Sequence, residues 1–125
     1  MESLKIEATE ISPFIVLDKI NETFEISGNA LPNDPTAFYT PIADWLETYV
    51  KQANPLTVFN FKLNYFNSAS AKYLLELLGI LAQAKENGQR VSILWNYYVD
   101  DDDMKNAGEE FAYLSQLDFE FISYQ

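Results

Sequence analysis

The hydroxyl of Ser68 occupies a place in the chain where side chains commonly do chemistry. The stretch Tyr65-Phe66-Asn67-Ser68-Ala69-Ser70 ends a regular strand pattern and opens a helical one. Open α/β sheets present functional groups at the rim where parallel strands give way to helices. A catalytic serine needs a base, and the chain contains no histidine; no glycine-rich phosphate cradle precedes the helix either. Two roles are left open. One is an ordinary N-cap, in which Asn67 or Ser68 satisfies a free amide of the first turn. The other is to accept a phosphoryl group, which adds about −1.5 to −2 charge at a helix end whose amides accommodate an anion. That change would be felt by a partner more than by the fold.

Four consecutive aspartates, Asp100 to Asp103, form the strongest charge feature. Carboxylates this close can hold a hard cation, but a calcium loop needs interleaved ligands, a turn glycine and a distal Glu, and the residues after Asp100 do not follow that spacing. Capping of a helix by Asp102 or Asp103, with the neighbouring carboxylates favouring its positive end by about 0.3–1 kcal/mol each, explains the run more simply. Residues 98 to 125 hold eight acids and one base, so this end also offers an acidic docking face. Among the aromatics, Trp45, Tyr49, Trp95, Tyr97 and Tyr98 lack the company of basic residues that base-stacking surfaces carry, and the single arginine is Arg90. Core packing accounts for most of these rings, with Tyr97-Tyr98 beside the aspartates as a candidate contact edge. Glu76, Glu86, Glu109 and Glu110 are expected to be solvated charges. No metal set and no cofactor motif emerges.

The elements that must position these groups belong to a chain of 125 residues, 48% hydrophobic and 15% aromatic, which suits one domain with one core. Its 19 acidic and 8 basic side chains give a net charge of −11, which argues against nucleic acid or an anionic membrane as a partner. Without cysteine or histidine, disulfides, thiolate chemistry and the commonest general base are all missing, and most enzyme classes become improbable. The first ten residues carry three glutamates, unlike a secretory leader, and no apolar run reaches membrane-spanning length. A soluble, cytoplasmic protein is expected.

Leu4, Ile6 and Ala8 alternate with polar residues as a short edge strand, and Phe14 to Leu17 and Thr23 to Ser27 form a hairpin closed by Gly28. A helix is expected from near Asp34, with Phe38, Ile42, Trp45, Leu46 and Tyr49 on its apolar side; Pro41 implies either a kink or a true start at that residue. Thr57 to Tyr65 is the clearest strand, with Phe59, Phe61, Leu63 and Tyr65 expected on one face. A long helix follows as far as Asn87-Gly88, then a strand over Val91 to Tyr97, a third helix with Ala107, Phe111, Leu114 and Leu117 as its stripe, and a last strand over Phe119 to Tyr124. Strands separated by such helices pair in parallel through right-handed crossovers, so the fold class is α/β, with an N-terminal β-hairpin and a mixed, mainly parallel sheet on which the helices pack.

This order of elements, with a modifiable hydroxyl at the start of the helix after a central strand, resembles the STAS-type domains of anti-sigma factor antagonists. More closely, Phe24-Glu25-Ile26-Ser27-Gly28 with Leu31-Pro32, Phe38-Tyr39, Trp45-Leu46, Phe61 to Ser68, Trp95-Asn96-Tyr97-Tyr98 and Gly108-Glu109-Glu110-Phe111 are similar in order and spacing to the SiaC family of biofilm-regulating phosphoproteins. The resemblance spans almost the whole chain. It implies a STAS-like single domain over residues 1–125 and a non-enzymatic switch, phosphorylated by a Ser/Thr kinase and restored by a PP2C-type phosphatase. The unphosphorylated form is then expected to bind and promote a diguanylate cyclase, raising cyclic di-GMP. Carried to this chain, the phosphoacceptor falls on Ser68, where the family often has threonine, and Ser70 is the alternative acceptor. Tyr65, Phe66, Asn67, Ser68 and Lys72, with Tyr97, Tyr98 and Asp100, make up the expected partner surface. Competing with this switch are a constitutive acidic binding module, in which Ser68 merely caps, and an anti-sigma-antagonist-like partner switch with a different target.

Overall fold

In the computed structural model, which describes residues 1–125, the period-two stretches become six strands and the period-3.6 stretches three helices. In chain order these are β1 (Leu4–Ile6), β2 (Phe14–Asp18), β3 (Thr23–Ala30), α1 (Pro35–Val50), β4 (Leu56–Phe66), α2 (Ser68–Glu86), β5 (Arg90–Tyr98), α3 (Asp102–Ser115) and β6 (Asp118–Tyr124). The strands lie in the sheet in sequence order. β1, β2 and β3 run antiparallel as a meander, and β3 to β6 are parallel. Three crossovers that all advance in the same direction with the same hand place every helix on one side of the sheet. The other side faces solvent: along β4, Phe59, Phe61 and Leu63 are buried while Val58, Lys62 and Asn64 are exposed. The mixed sheet with helices packed on it is the expected fold class.

Between the layers sits a continuous apolar core. Leu17, Phe24, Ile26, Phe61, Ile93 and Trp95 from the sheet meet Ile42, Leu46, Leu74, Leu78 and Leu81 from the helices. Each such side chain contributes about 1.5–3 kcal/mol when fully removed from water. The one polar group deep in the sheet layer, Thr57, is satisfied by the Tyr49 hydroxyl at 2.6 Å.

Several boundaries differ from the sequence reading, each for a local reason. β1 stops at Ile6, because Thr9 turns the chain by accepting the amides of Ile11 and Ser12 on its hydroxyl. α1 keeps its expected start, at Pro35 with Asp34 as cap, whose carboxylate accepts the Ala37 amide at 3.1 Å; the alternative start at Pro41 is excluded because the helix continues through that residue. In the third helix Asp101, rather than Asp102 or Asp103, is the cap. Leu114 is 51% exposed and leaves the expected stripe, whose other members hold: Phe111 and Leu117 are buried and Ala107 packs against the core, with Met104 and Gly108 joining them.

The most consequential difference lies at the end of β4. Gly28 pairs with Leu63 but Asn29 pairs with Tyr65, so Asn64 is an extra residue in β4 and reverses the alternation beyond it. Gly28 adopts φ +100°, which favours a residue without a Cβ. Past the bulge Tyr65 turns outward to 53% exposure, whereas Phe66 turns inward and stacks on Phe111 with ring centroids 5.9 Å apart. Tyr65 therefore does not share the buried face of Phe59, Phe61 and Leu63. Bulges of this kind re-aim side chains next to functional sites.

Candidate functional site at the carboxyl rim

A helix must find partners for its first four amides, and the way α2 does so decides what Ser68 is free to do. Asn67 takes the capping role: its side chain accepts the Ser70 amide at 2.9 Å and its carbonyl accepts the Ala71 amide at 2.9 Å. Ser68 is the first helical residue. Its side chain is exposed and makes no hydrogen bond in the structure. The capping role considered for Ser68 is thus filled by its neighbour, and the amides of Ser68 and Ala69 are the open ones of the turn.

Ser70 has the opposite environment. It is fully buried, and the Tyr39 hydroxyl donates to its Oγ at 2.9 Å. Tyr39 stacks on Tyr73 with centroids 5.1 Å apart, and the Tyr73 hydroxyl lies 2.5 Å from Thr36 Oγ1. This chain of contacts pins the first turns of α1 and α2 together. Burial pushes the Tyr39 phenol above its ordinary range, while the bond to Ser70 works the other way. In the alkaline range the unfolded phenol ionises near its ordinary pKa of about 10 while the folded one stays neutral, so stability is intact below that pH and falls as pH rises through it. Urea titrations at neutral and alkaline pH are expected to show this loss in the wild type and a shallower one in Tyr39→Phe.

Of the other residues expected at the partner surface, Lys72 lies one turn beyond Ser68, exposed and without an ion pair. Tyr97 and Tyr98 fall on opposite faces of the sheet. Tyr97 is half-buried against the core, while Tyr98 meets Tyr124 edge-on at 6.0 Å, close to the Lys62 ammonium, which sits 4.7 Å from the Tyr124 ring centre. Asp100 is exposed in the turn before α3.

Tyr65 and Phe66 are brought against the start of α3. There Asp101 caps the helix by accepting the Met104 amide at 2.9 Å, and the Met104 carbonyl accepts the Trp95 indole N–H at 2.9 Å. A cleft of about 410 Å³ opens between the two elements, lined by Asn64, Tyr65, Phe66, Asp101, Asp103, Met104 and Ala107. Asp101, Asp103, Met104 and Ala107 are absent from the partner surface read from the sequence. Their signal was there, since Asp103 and Ala107 share one face of a helix by their spacing of four, but nothing local says that this face meets β4. No group of three or more acidic side chains converges as a metal site would require. A hollow of about 540 Å³ on the opposite rim, formed by Met1, Glu2, Ser3, Asp18, Ile20 and Asn21, brings together no comparable set.

Residues 6–124 match the model of the SiaC family of regulatory phosphoproteins. The chain belongs to the SiaC family. Among solved structures it is similar to apo-SiaC from Pseudomonas aeruginosa, with 25% identity, a TM-score of 0.84 and both chains covered completely. It shares its fold with the SiaC of that organism crystallised with diguanylate cyclase SiaD, of which that SiaC is the activator, at 23% identity and a TM-score of 0.90, covering 97% and 99% of the two chains. An uncharacterized protein of P. aeruginosa strain UCBPP-PA14 is 25% identical over 111 residues, 89% of this chain and 88% of its own. The family expectation from the sequence holds, and with it the expected α/β fold with a mixed sheet. No helix is long and apolar enough to cross a membrane.

Proposed function

We propose that this SiaC-family chain is a non-enzymatic cytoplasmic switch whose unphosphorylated form binds and activates a diguanylate cyclase, and that phosphorylation of Ser68 turns it off. A Ser/Thr kinase writes the mark and a PP2C-type phosphatase removes it. One observation carries this reading: of the two serines in the first turn of α2, Ser68 presents a free, exposed hydroxyl because Asn67 caps the helix, whereas Ser70 is buried under Tyr39. The family supports the phosphoprotein role, and the complex of the similar P. aeruginosa SiaC with its cyclase supports the choice of partner.

Physical chemistry supplies the direction of the switch. Close to unmodified Ser68 in the chain stand the exposed Tyr65, the half-buried Phe66 and the neutral first turn of α2. A partner packed there would have to strip water from a phosphate dianion, and any acidic group it brings to Lys72 would be repelled. Binding therefore weakens on phosphorylation. Intact-mass and site-mapping mass spectrometry on protein purified from its native cells is expected to find a single phosphate on Ser68. Phosphate confined to another residue moves the switch away from Ser68, and its sustained absence with phosphatases inhibited overturns the reading in favour of a constitutive acidic binding module.

A further inference from the structure

The cleft between the end of β4 and the start of α3 has a chemistry that a phosphate switch does not require. Buried Met104 with half-buried Phe66 and Ala107 gives it an apolar floor, and exposed Asn64, Tyr65 and Asp103 with half-buried Asp101 complete its lining toward the mouth. One Asp101 oxygen is committed to the Met104 amide. The Asp103 carboxylate makes no hydrogen bond and no ion pair, since the single ion pair in the structure joins Lys5 to Glu7. With 19 acids against 8 bases in the whole chain, this mouth adds to a net negative surface that attracts a cationic group from a partner. The floor exists only because of the bulge at Asn64: in an unbroken strand Phe66 would point away from α3, and the hollow would lack its base.

An apolar floor ending at a free carboxylate matches a side chain with an apolar stem and a cationic head. Arginine fits better than lysine, because its planar guanidinium lies flat on aromatic rings such as those of Tyr65 and Phe66 and grips a carboxylate through two N–H groups. We propose that the cleft is the anchor pocket for an arginine of the protein partner, with the stem on Phe66, Met104 and Ala107 and the guanidinium at Asp103. The proposal rests on the reading that this rim meets a protein. It adds the chemical feature by which a partner is recognised, and it is independent of which residue is phosphorylated.

The test uses the full, unmodified chain and the capped tripeptide Ala-Arg-Ala as probe, followed by amide chemical shifts, with norleucine or glutamate replacing arginine as controls. Shifts confined to Phe66, Asp103, Met104, Ala107 and their neighbours, and an affinity lowered about threefold or more in Asp103→Asn at low salt, are expected. Ala107→Leu, which fills the floor, is expected to abolish the shifts while the spectrum stays dispersed. Equal binding of the norleucine peptide, shifts scattered over the other acidic surfaces, or no shifts at millimolar peptide would overturn the pocket. Those outcomes leave the phosphate on Ser68 untouched, and a phosphate found elsewhere leaves the pocket untouched, so the two readings fail separately.

Discussion

Replacing Ser68 by alanine is expected to abolish phosphate incorporation and to leave cyclase binding in place, locking the protein in its active form. Alanine is a good first-turn helix residue, and no hydrogen bond is lost because the Ser68 hydroxyl makes none. The fold and the neutral contact surface therefore survive. The control is Ser70→Ala, which removes the acceptor of the buried Tyr39 hydroxyl and leaves an unsatisfied donor costing about 1–3 kcal/mol. That variant is expected to melt earlier yet still take up phosphate. Kinase assays with both variants, read by mass spectrometry, separate the two serines; undiminished incorporation in Ser68→Ala would move the site. Ser68→Asp mimics phosphate only in part, because one carboxylate has less charge and fewer acceptor oxygens.

The second large effect concerns Gly108. In a helix interior glycine is worse than alanine by about 0.8–1 kcal/mol, so Gly108→Ala on an isolated helix would stabilise. Here a Cβ would lie 2.4 Å from the Trp95 Nε1 and 2.5 Å from its Cδ1. That ring cannot retreat easily: Trp95 is 1% exposed, packed against Phe61, Phe111 and Phe119, and its N–H is held by the Met104 carbonyl. Overpacking in such a place costs about 1–3 kcal/mol, more than the helix propensity returns. Net destabilisation in urea unfolding is expected, with α3 displaced from β5 and the cleft reshaped. A gain in stability would mean that α3 slides freely on the sheet.

The same glycine shows how the sequence relates to the fold. Gly108-Glu109-Glu110-Phe111 stands out in the chain as family-like wording, but its physical sense, a helix drawn onto an indole, needs the partner element to be seen. The bulge is a similar case. Strict alternation from Thr57 put Tyr65 on the buried face, because nothing in the composition of Asn64 announces an extra residue; the register is set by the pairing with Gly28 and Asn29 on another strand.

By itself the sequence determined the class of fold, the order of elements, the net charge and the strand-to-helix turn that carries the candidate hydroxyl, and its wording carried the family resemblance. Fold class, element order, charge and the turn follow from local periodicity, turn chemistry and composition, which are written in neighbouring residues; the family follows from the likeness of its motifs to those of known members. Tertiary structure alone decided which serine is presented and which is buried, that Asn67 rather than Ser68 caps α2, and that Phe66 meets Asp103, Met104 and Ala107 across a cleft. Each of these depends on contacts between elements distant in the chain, Tyr39 with Ser70 or β4 with α3. A hydroxyl's accessibility and a carboxylate's lack of a partner are set by what packs beside them, and that information is spread over the whole fold.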